Sequence, residues 1–155
     1  MTWTPPSAQE RQAILRKTHS VAMVGASPNP ARASNFVATY LLSTDYDLYF
    51  VNPNASEILG HPVYPSLDAL PVAPDLVDVF RRPEDLPDVL DATIAAGAST
   101  FWLQFGLYDE ALAERAEAAG LAVVMDRCLK VEHARFHGGL HLAGFDTGVI
   151  SSRRR

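Results

Sequence analysis

The chain has 155 residues, 48% hydrophobic and 20% charged, a composition ordinary for a soluble globular protein and long enough for one domain to bury its core without metal or disulfide staples. Its 13 basic and 18 acidic residues give a formal charge of −5, which argues against general binding to nucleic acid or to an anionic membrane. A single cysteine, Cys128, excludes an intramolecular disulfide framework, no apolar run approaches the roughly 20 residues that span a bilayer, and Met1-Thr-Trp-Thr-Pro-Pro lacks the pattern of a secretion signal, so a cytoplasmic location is expected.

In chain order, Ser7-Ala-Gln-Glu10 reads as a capping box that opens a helix carrying Ile14 and Leu15 and running to about Lys17. Residues 20 to 24 form an apolar, largely β-favouring strand that runs into the small-residue loop from Gly25 to Ser34. Gly25 permits a tight turn and close backbone approach, and Ser34 is expected to cap a helix over residues 35–43, where Phe36, Val37, Tyr40 and Leu41 recur at helical spacing. Tyr46 to Val51 form a second strand, stopped at Asn52-Pro53. Residues 54–74, with Gly60, Pro62, Pro65, Pro71 and Pro74, read as an irregular connection with a short extended piece at Val63-Tyr64. Leu76 to Phe80 form a third strand, Arg81-Arg82-Pro83 a loop, and Glu84 to about Ala96 a helix ended by Gly97. Thr100 to Leu103 form a fourth strand, Gln104-Phe105-Gly106 a loop, Asp109 to Ala119 a helix closed by Gly120, and Ala122 to Met125 a fifth strand. This alternation predicts an α/β domain with a five-stranded, mostly parallel sheet covered on both faces.

Ligands of such sheets lie outside the carboxyl ends of the strands, near the point where the strand order reverses. The residues there are Gly25-Ala26-Ser27, Asn52-Pro53, Phe80-Arg81-Arg82, Gln104-Phe105-Gly106 and Asp126-Arg127-Cys128. They supply small residues for close approach, amides for hydrogen bonding and guanidinium forks that match phosphate oxygens, with Arg32 in the same loop as Gly25. A phosphorylated ligand is expected. A nicotinamide site normally ends its second strand with Asp or Glu, where this chain has Asn52-Pro53, and Ser27 and Pro30 stand where further loop glycines belong. No Gly-Lys-Ser or Gly-Lys-Thr follows the first strand, which excludes a P-loop.

Catalytic signals are thin. Cys128 lies five residues before His133, a spacing that does not itself pair a nucleophile with a base, and Cys128 reads more simply as a small buried residue. His133, His137 and His141 recur in steps of four, but Gly138-Gly139 should end the helix before His141, so no metal site is expected. Asp109-Glu110 suit the first turn of a helix, and Arg153-Arg154-Arg155 a solvated chain end.

The segments Val24-Gly-Ala-Ser27, Tyr40-Leu-Leu42, Val51-Asn-Pro53, Tyr64-Pro-Ser-Leu67, Val79-Phe-Arg-Arg-Pro83, Trp102-Leu-Gln104 and Met125-Asp-Arg-Cys-Leu-Lys-Val-Glu-His133 resemble the small single-domain CoA-binding proteins, which are similar to the CoA-binding domain of the succinyl-CoA synthetase α subunit. The resemblance spans about residues 10–137 and implies a Rossmann-like three-layer fold forming one domain over residues 1–155, with a tail from about residue 138. It also implies coenzyme A, or an acyl-CoA, as the ligand. Carried over position by position, Gly25, Ala26 and Ser27 would receive the diphosphate through backbone N–H groups, with Arg32 supplying charge and Ser34 opening the helix behind them. Asn52 and Pro53 would contact the adenosine, Phe80, Arg81 and Arg82 would border the ligand, and Gln104, Phe105 and Gly106 would line the pantetheine path. The synthetase places a catalytically relevant Glu near the position of Phe105, so the resemblance implies binding without catalysis.

Two other readings stand beside it: a dinucleotide-dependent oxidoreductase, which Asn52 opposes, and a regulatory or scaffold subunit of an acyl-CoA-handling enzyme, docking a partner through Phe136, Leu140, Leu142 and Phe145. Arg81 and Arg82 have an alternative role as surface partners of Glu84 or Asp85. Cys128, after a strand end, is a candidate for a mixed disulfide with the CoA thiol.

Overall fold

The computed structural model of the chain describes residues 3–137. Helix α1 (Ala8–Lys17) opens with the expected capping box: Ser7 Oγ accepts from Glu10 N at 3.1 Å, and Glu10 Oε1 accepts from Ser7 N at 2.7 Å. Strand β1 (Ser20–Val24), buried throughout, leads to α2 (Ala33–Leu41) and then β2 (Asp47–Val51). After β3 (Glu57–Ile58) and β4 (His61–Tyr64) come β5 (Leu76–Val79), α3 (Leu86–Ala96), β6 (Thr100–Leu103), α4 (Glu110–Ala118), β7 (Ala122–Val124) and α5 (Leu129–His137). Arg153 to Arg155, His141, and the suggested docking residues Leu140, Leu142 and Phe145 lie outside the described residues.

The sheet has seven strands, in the order β3-β4-β2-β1-β5-β6-β7, rather than five. All pairs are parallel except β3 with β4. The two additional strands come from the connection read as irregular. Leu59 and Gly60 turn between them with φ of 50° and 81°, the left-handed geometry of a tight hairpin, and only Gly60 advertises it in the sequence. Val63-Tyr64, expected to be extended, pairs with Phe50-Val51 and extends the parallel sheet.

Strand residues alternate between two cores. Ala22, Val24, Val77, Val79, Phe101 and Leu103 face α3 and α4, while Val21, Met23, Phe50, Leu76 and Trp102 face α1, α2 and α5. Both faces are covered, as near-continuous apolar strands require. Asp75 ties the strand starts together, its Oδ2 accepting from His19 N at 2.8 Å and Ser20 N at 3.1 Å. On the second face, Arg11 Nε of α1 donates to Glu132 Oε1 of α5 at 2.7 Å, and both side chains are buried.

The chain runs outward from β1 through β2 to β4 on one side, then returns to place β5 against the other side of β1 and continues to β7. Strand order therefore reverses between β1 and β5. Adjacent loops leave those two carboxyl ends in opposite directions, and the gap between them is the ligand crevice of this architecture.

Candidate functional site

Gly25 sits at that reversal with φ of 89°. Its N–H donates to Val51 O at 2.9 Å, and Phe80 N donates to Val24 O at 2.8 Å, so the ladder holds three strand ends level. A Cβ at position 25 would lie 2.3 Å from Phe80 O and 2.9 Å from Arg81 Cδ. Only glycine allows the β1 and β5 loops to close on each other in this way.

The loop beyond Gly25 is fixed by its own side chains. Ser27 Oγ accepts from Asn29 N at 3.0 Å, Asn29 Oδ1 accepts from Ala31 N at 2.9 Å, and Asn35 Nδ2 donates to Ser27 O at 3.1 Å. From β2, Asn52 Nδ2 donates to Ala26 O at 2.7 Å while Asn52 Oδ1 accepts from Asn54 N at 2.8 Å. Asn52 thus holds the glycine loop against the second strand end, a role that the sequence reading, which placed it on adenosine, did not foresee. A carboxylate here could not make the same donation to Ala26 O.

Ser34 is not the helix cap. It is the second residue of α2, buried, and its Oγ accepts from Ser27 N at 3.0 Å. The hydroxyl reaches back across the loop because α2 starts earlier than expected, at Ala33. Arg32 is the N-cap, it is exposed, and no side chain caps the helix. The first turn of α2 therefore has main-chain donors without a side-chain cap at the positive end of the helix dipole, and the exposed Arg32 stands at its N-cap. The amides of Gly25, Ser27, Asn29, Ala31, Arg32 and Asn35 are already engaged within the protein, which leaves the remaining amides of the loop and of the first turn of α2 for an anion.

The other expected residues divide between site and scaffold. Pro53 is exposed beside half-buried Asn52, and half-buried Phe80 packs against the α2 and α5 side of the sheet. Arg81 Nη2 donates to Asp85 Oδ2 at 3.0 Å and Arg82 Nε lies 3.5 Å from both Glu84 Oε2 and Asp85 Oδ2, which realises the ion-pair alternative. The Arg81 hydrogen bond holds the Asp85 carboxyl below its ordinary range. Gln104 is buried, and its Oε1 accepts from Leu129 N at 3.0 Å, capping α5. Phe105 is 79% exposed, and exposed Gly106 donates its N–H to Asp126 Oδ1 at 2.7 Å. That bond joins the loops after β6 and β7, with Asp126 at φ of 60°. Half-buried Cys128 precedes α5, its carbonyl accepting from Glu132 N at 3.0 Å. His133, a residue of the four-step histidine series, bonds Tyr40 Oη through Nδ1 at 2.7 Å. Among the described residues no three His, Cys, Asp or Glu side chains form a metal-binding group, and no helix is long and apolar enough to cross a membrane.

A doubly wound sheet with a glycine-floored crevice at its strand-order reversal and an uncapped helix start beside it defines a Rossmann-like α/β domain. At the end of β2 stands Asn52, not the carboxylate of a nicotinamide site. Residues 19–134 match the family model of the CoA binding domain, and the chain belongs to that family. It is 37% identical over 129 residues to the uncharacterized protein YneT of Bacillus subtilis (strain 168), covering 83% of this chain and 96% of that protein. It is 29% identical over 119 residues to acetate–CoA ligase [ADP-forming] I of Archaeoglobus fulgidus, covering 70% of this chain but 17% of the ligase. Among solved structures, a hypothetical protein from Pyrococcus horikoshii OT3 superposes with a TM-score of 0.82 at 37% identity, over 89% of this chain and 100% of that one. The Rossmann-like fold and the kinship with the CoA-binding part of such ligases agree with the resemblance drawn from the sequence motifs.

Proposed function

We propose that this protein binds coenzyme A or an acyl-CoA at the carboxyl end of the sheet and holds it without transforming it. The diphosphate lies against the Gly25 loop and the first turn of α2, Arg32 neutralises its charge, Asn52-Pro53 flanks the adenosine, and Phe80 with Phe105 and Gly106 borders the pantetheine arm. Arg81, Arg82 and Gln104 act on the ligand indirectly, by setting the β5 loop and the start of α5. The observation that carries this reading is the backbone of Gly25 approaching the Phe80 carbonyl too closely for any Cβ, beside an uncapped helix start, in a chain of the CoA-binding family. The ligase relative matches this chain over a small share of its own length, which supports a binding module separated from catalytic machinery. A lone half-buried cysteine suits the reducing cytoplasm.

Isothermal titration with CoA and NAD tests the reading. CoA is expected to bind and NAD to bind far more weakly, and Arg32→Ala should weaken CoA about tenfold through the loss of one charge-assisted contact, with little change in stability because Arg32 is exposed. No heat with millimolar CoA overturns the proposal.

A further inference from the structure

The segment before α1 crosses from one face of the sheet to the other. Helix α1 packs on the second face through Leu15 and through the Arg11–Glu132 pair with α5. Trp3, five residues earlier than Ala8, is buried in the opposite core among the residues of α3 and α4. There its ring meets Tyr108 edge-on, with centroids 6.0 Å apart. Tyr108 follows the Gln104-Phe105-Gly106 loop, so residues 3–7 form a strap passing beside the carboxyl ends of β6 and β7.

The strap is hydrogen-bonded at one end only, the Trp3 end being held by apolar packing. Arg11 Nη1 donates to Pro6 O at 2.9 Å, and the capping box fixes Ser7. None of the hydrogen bonds among the described residues involves Trp3, Thr4 or Pro5. Trp3 Nε1 is buried without an acceptor, whereas Trp102 Nε1 donates to Arg127 O at 2.8 Å. A buried indole N–H normally finds a partner, and one without a partner favours any rearrangement that supplies it. The loop beside Trp3 is where the proposed pantetheine arm would end, and that arm carries amide carbonyl oxygens, which are hydrogen-bond acceptors.

Resting on the CoA reading above, we propose that the Trp3 strap is ligand-linked: when a pantetheine arm lies along the β6 loop, Trp3 re-seats and its indole donates to an amide carbonyl of that arm. Trp3 then selects pantetheine-bearing nucleotides over nucleotides that end at the diphosphate.

The test titrates the full chain and Trp3→Phe, which keeps an apolar ring in the core, with CoA and with ADP, following heat and tryptophan emission together. CoA should red-shift the emission of the wild type and leave that of Trp3→Phe unchanged, since Trp102 is already bonded. Trp3→Phe should bind CoA about fivefold more weakly, the loss of one neutral hydrogen bond, and bind ADP as the wild type does. Heat on CoA addition without a Trp3-dependent emission change, or an unaltered affinity of Trp3→Phe, overturns the strap and leaves the CoA reading standing. Absence of heat with CoA overturns both.

Discussion

Asp78 lies within β5 with 0% exposure, between Met23 of β1 and Trp102 of β6, and neither carboxyl oxygen has a hydrogen-bond partner among the described residues. Alternation along the strand places it on the face of Leu76, toward α1, α2 and α5. Burial pushes its pKa well above the ordinary 3.8. The folded state therefore keeps a proton that the unfolded chain releases. With the folded pKa raised, the ionisation of Asp78 contributes no instability below the unfolded value, and stability falls as pH rises above about 4, until the folded carboxyl itself ionises. The slope in that window is about 1.4 kcal/mol per pH unit for one proton. Each such unit is a sizeable share of the 5–15 kcal/mol typical of a whole domain. Asp78→Asn keeps the size and polarity and removes the titration. Urea unfolding of both proteins at several pH values from 4 to 7.5 should give similar stabilities at the acid end and an Asn variant that gains on the wild type as pH rises, with other groups cancelling in the difference. Parallel pH curves, or an Asn variant that is less stable at pH 7, would refute the reasoning and mean that the carboxylate is paired.

Two further substitutions probe the site and its support. Gly25→Ala places a methyl group 2.3 Å from a main-chain oxygen at a φ of 89°, and should cost about 2–4 kcal/mol in thermal or urea unfolding while separating the β1 and β5 loops enough to lower CoA affinity at least about tenfold. An unchanged melting temperature together with unchanged affinity would contradict the role given to this glycine. Glu132→Ala leaves the buried Arg11 without a counter-ion, bonded only to Pro6 O, and frees the more exposed Arg127 and Arg135; it should destabilise by about 3–5 kcal/mol, whereas replacing both buried partners with apolar residues, Arg11→Met with Glu132→Leu, should recover most of the loss. A double variant as unstable as the single one would show that the pair does more than satisfy its own charges.

The sequence by itself determined most of the elements and their order along the chain. Ser7 with Glu10, the all-buried run of β1, Gly97 at φ of 79° after α3, and Asp109, whose side chain accepts from Leu112 N at 3.0 Å at the start of α4, act through neighbours a few residues away. Such signals are legible because the partners lie within one turn or one pleat of each other. Gly25, Asn52 and Phe80 were likewise found at strand ends, since an α/β alternation places ligands there whatever the strand order.

Only the tertiary structure decided what those residues do. Leu59 in a left-handed conformation hid the hairpin that adds two strands, because the turn is stabilised by pairing rather than by its own preference. Ser34 looked like a cap from its immediate neighbours, yet its hydroxyl serves an amide seven residues back. Gln104 caps a helix 25 residues on, Asn52 holds a carbonyl 26 residues back, and Arg11 meets a glutamate 121 residues away. Polar side chains have several possible partners of equal chemistry, and burial selects among them only once the sheet has brought distant segments together. The same selection left Asp78 and the Trp3 indole without partners, and no local pattern around either residue could have announced it.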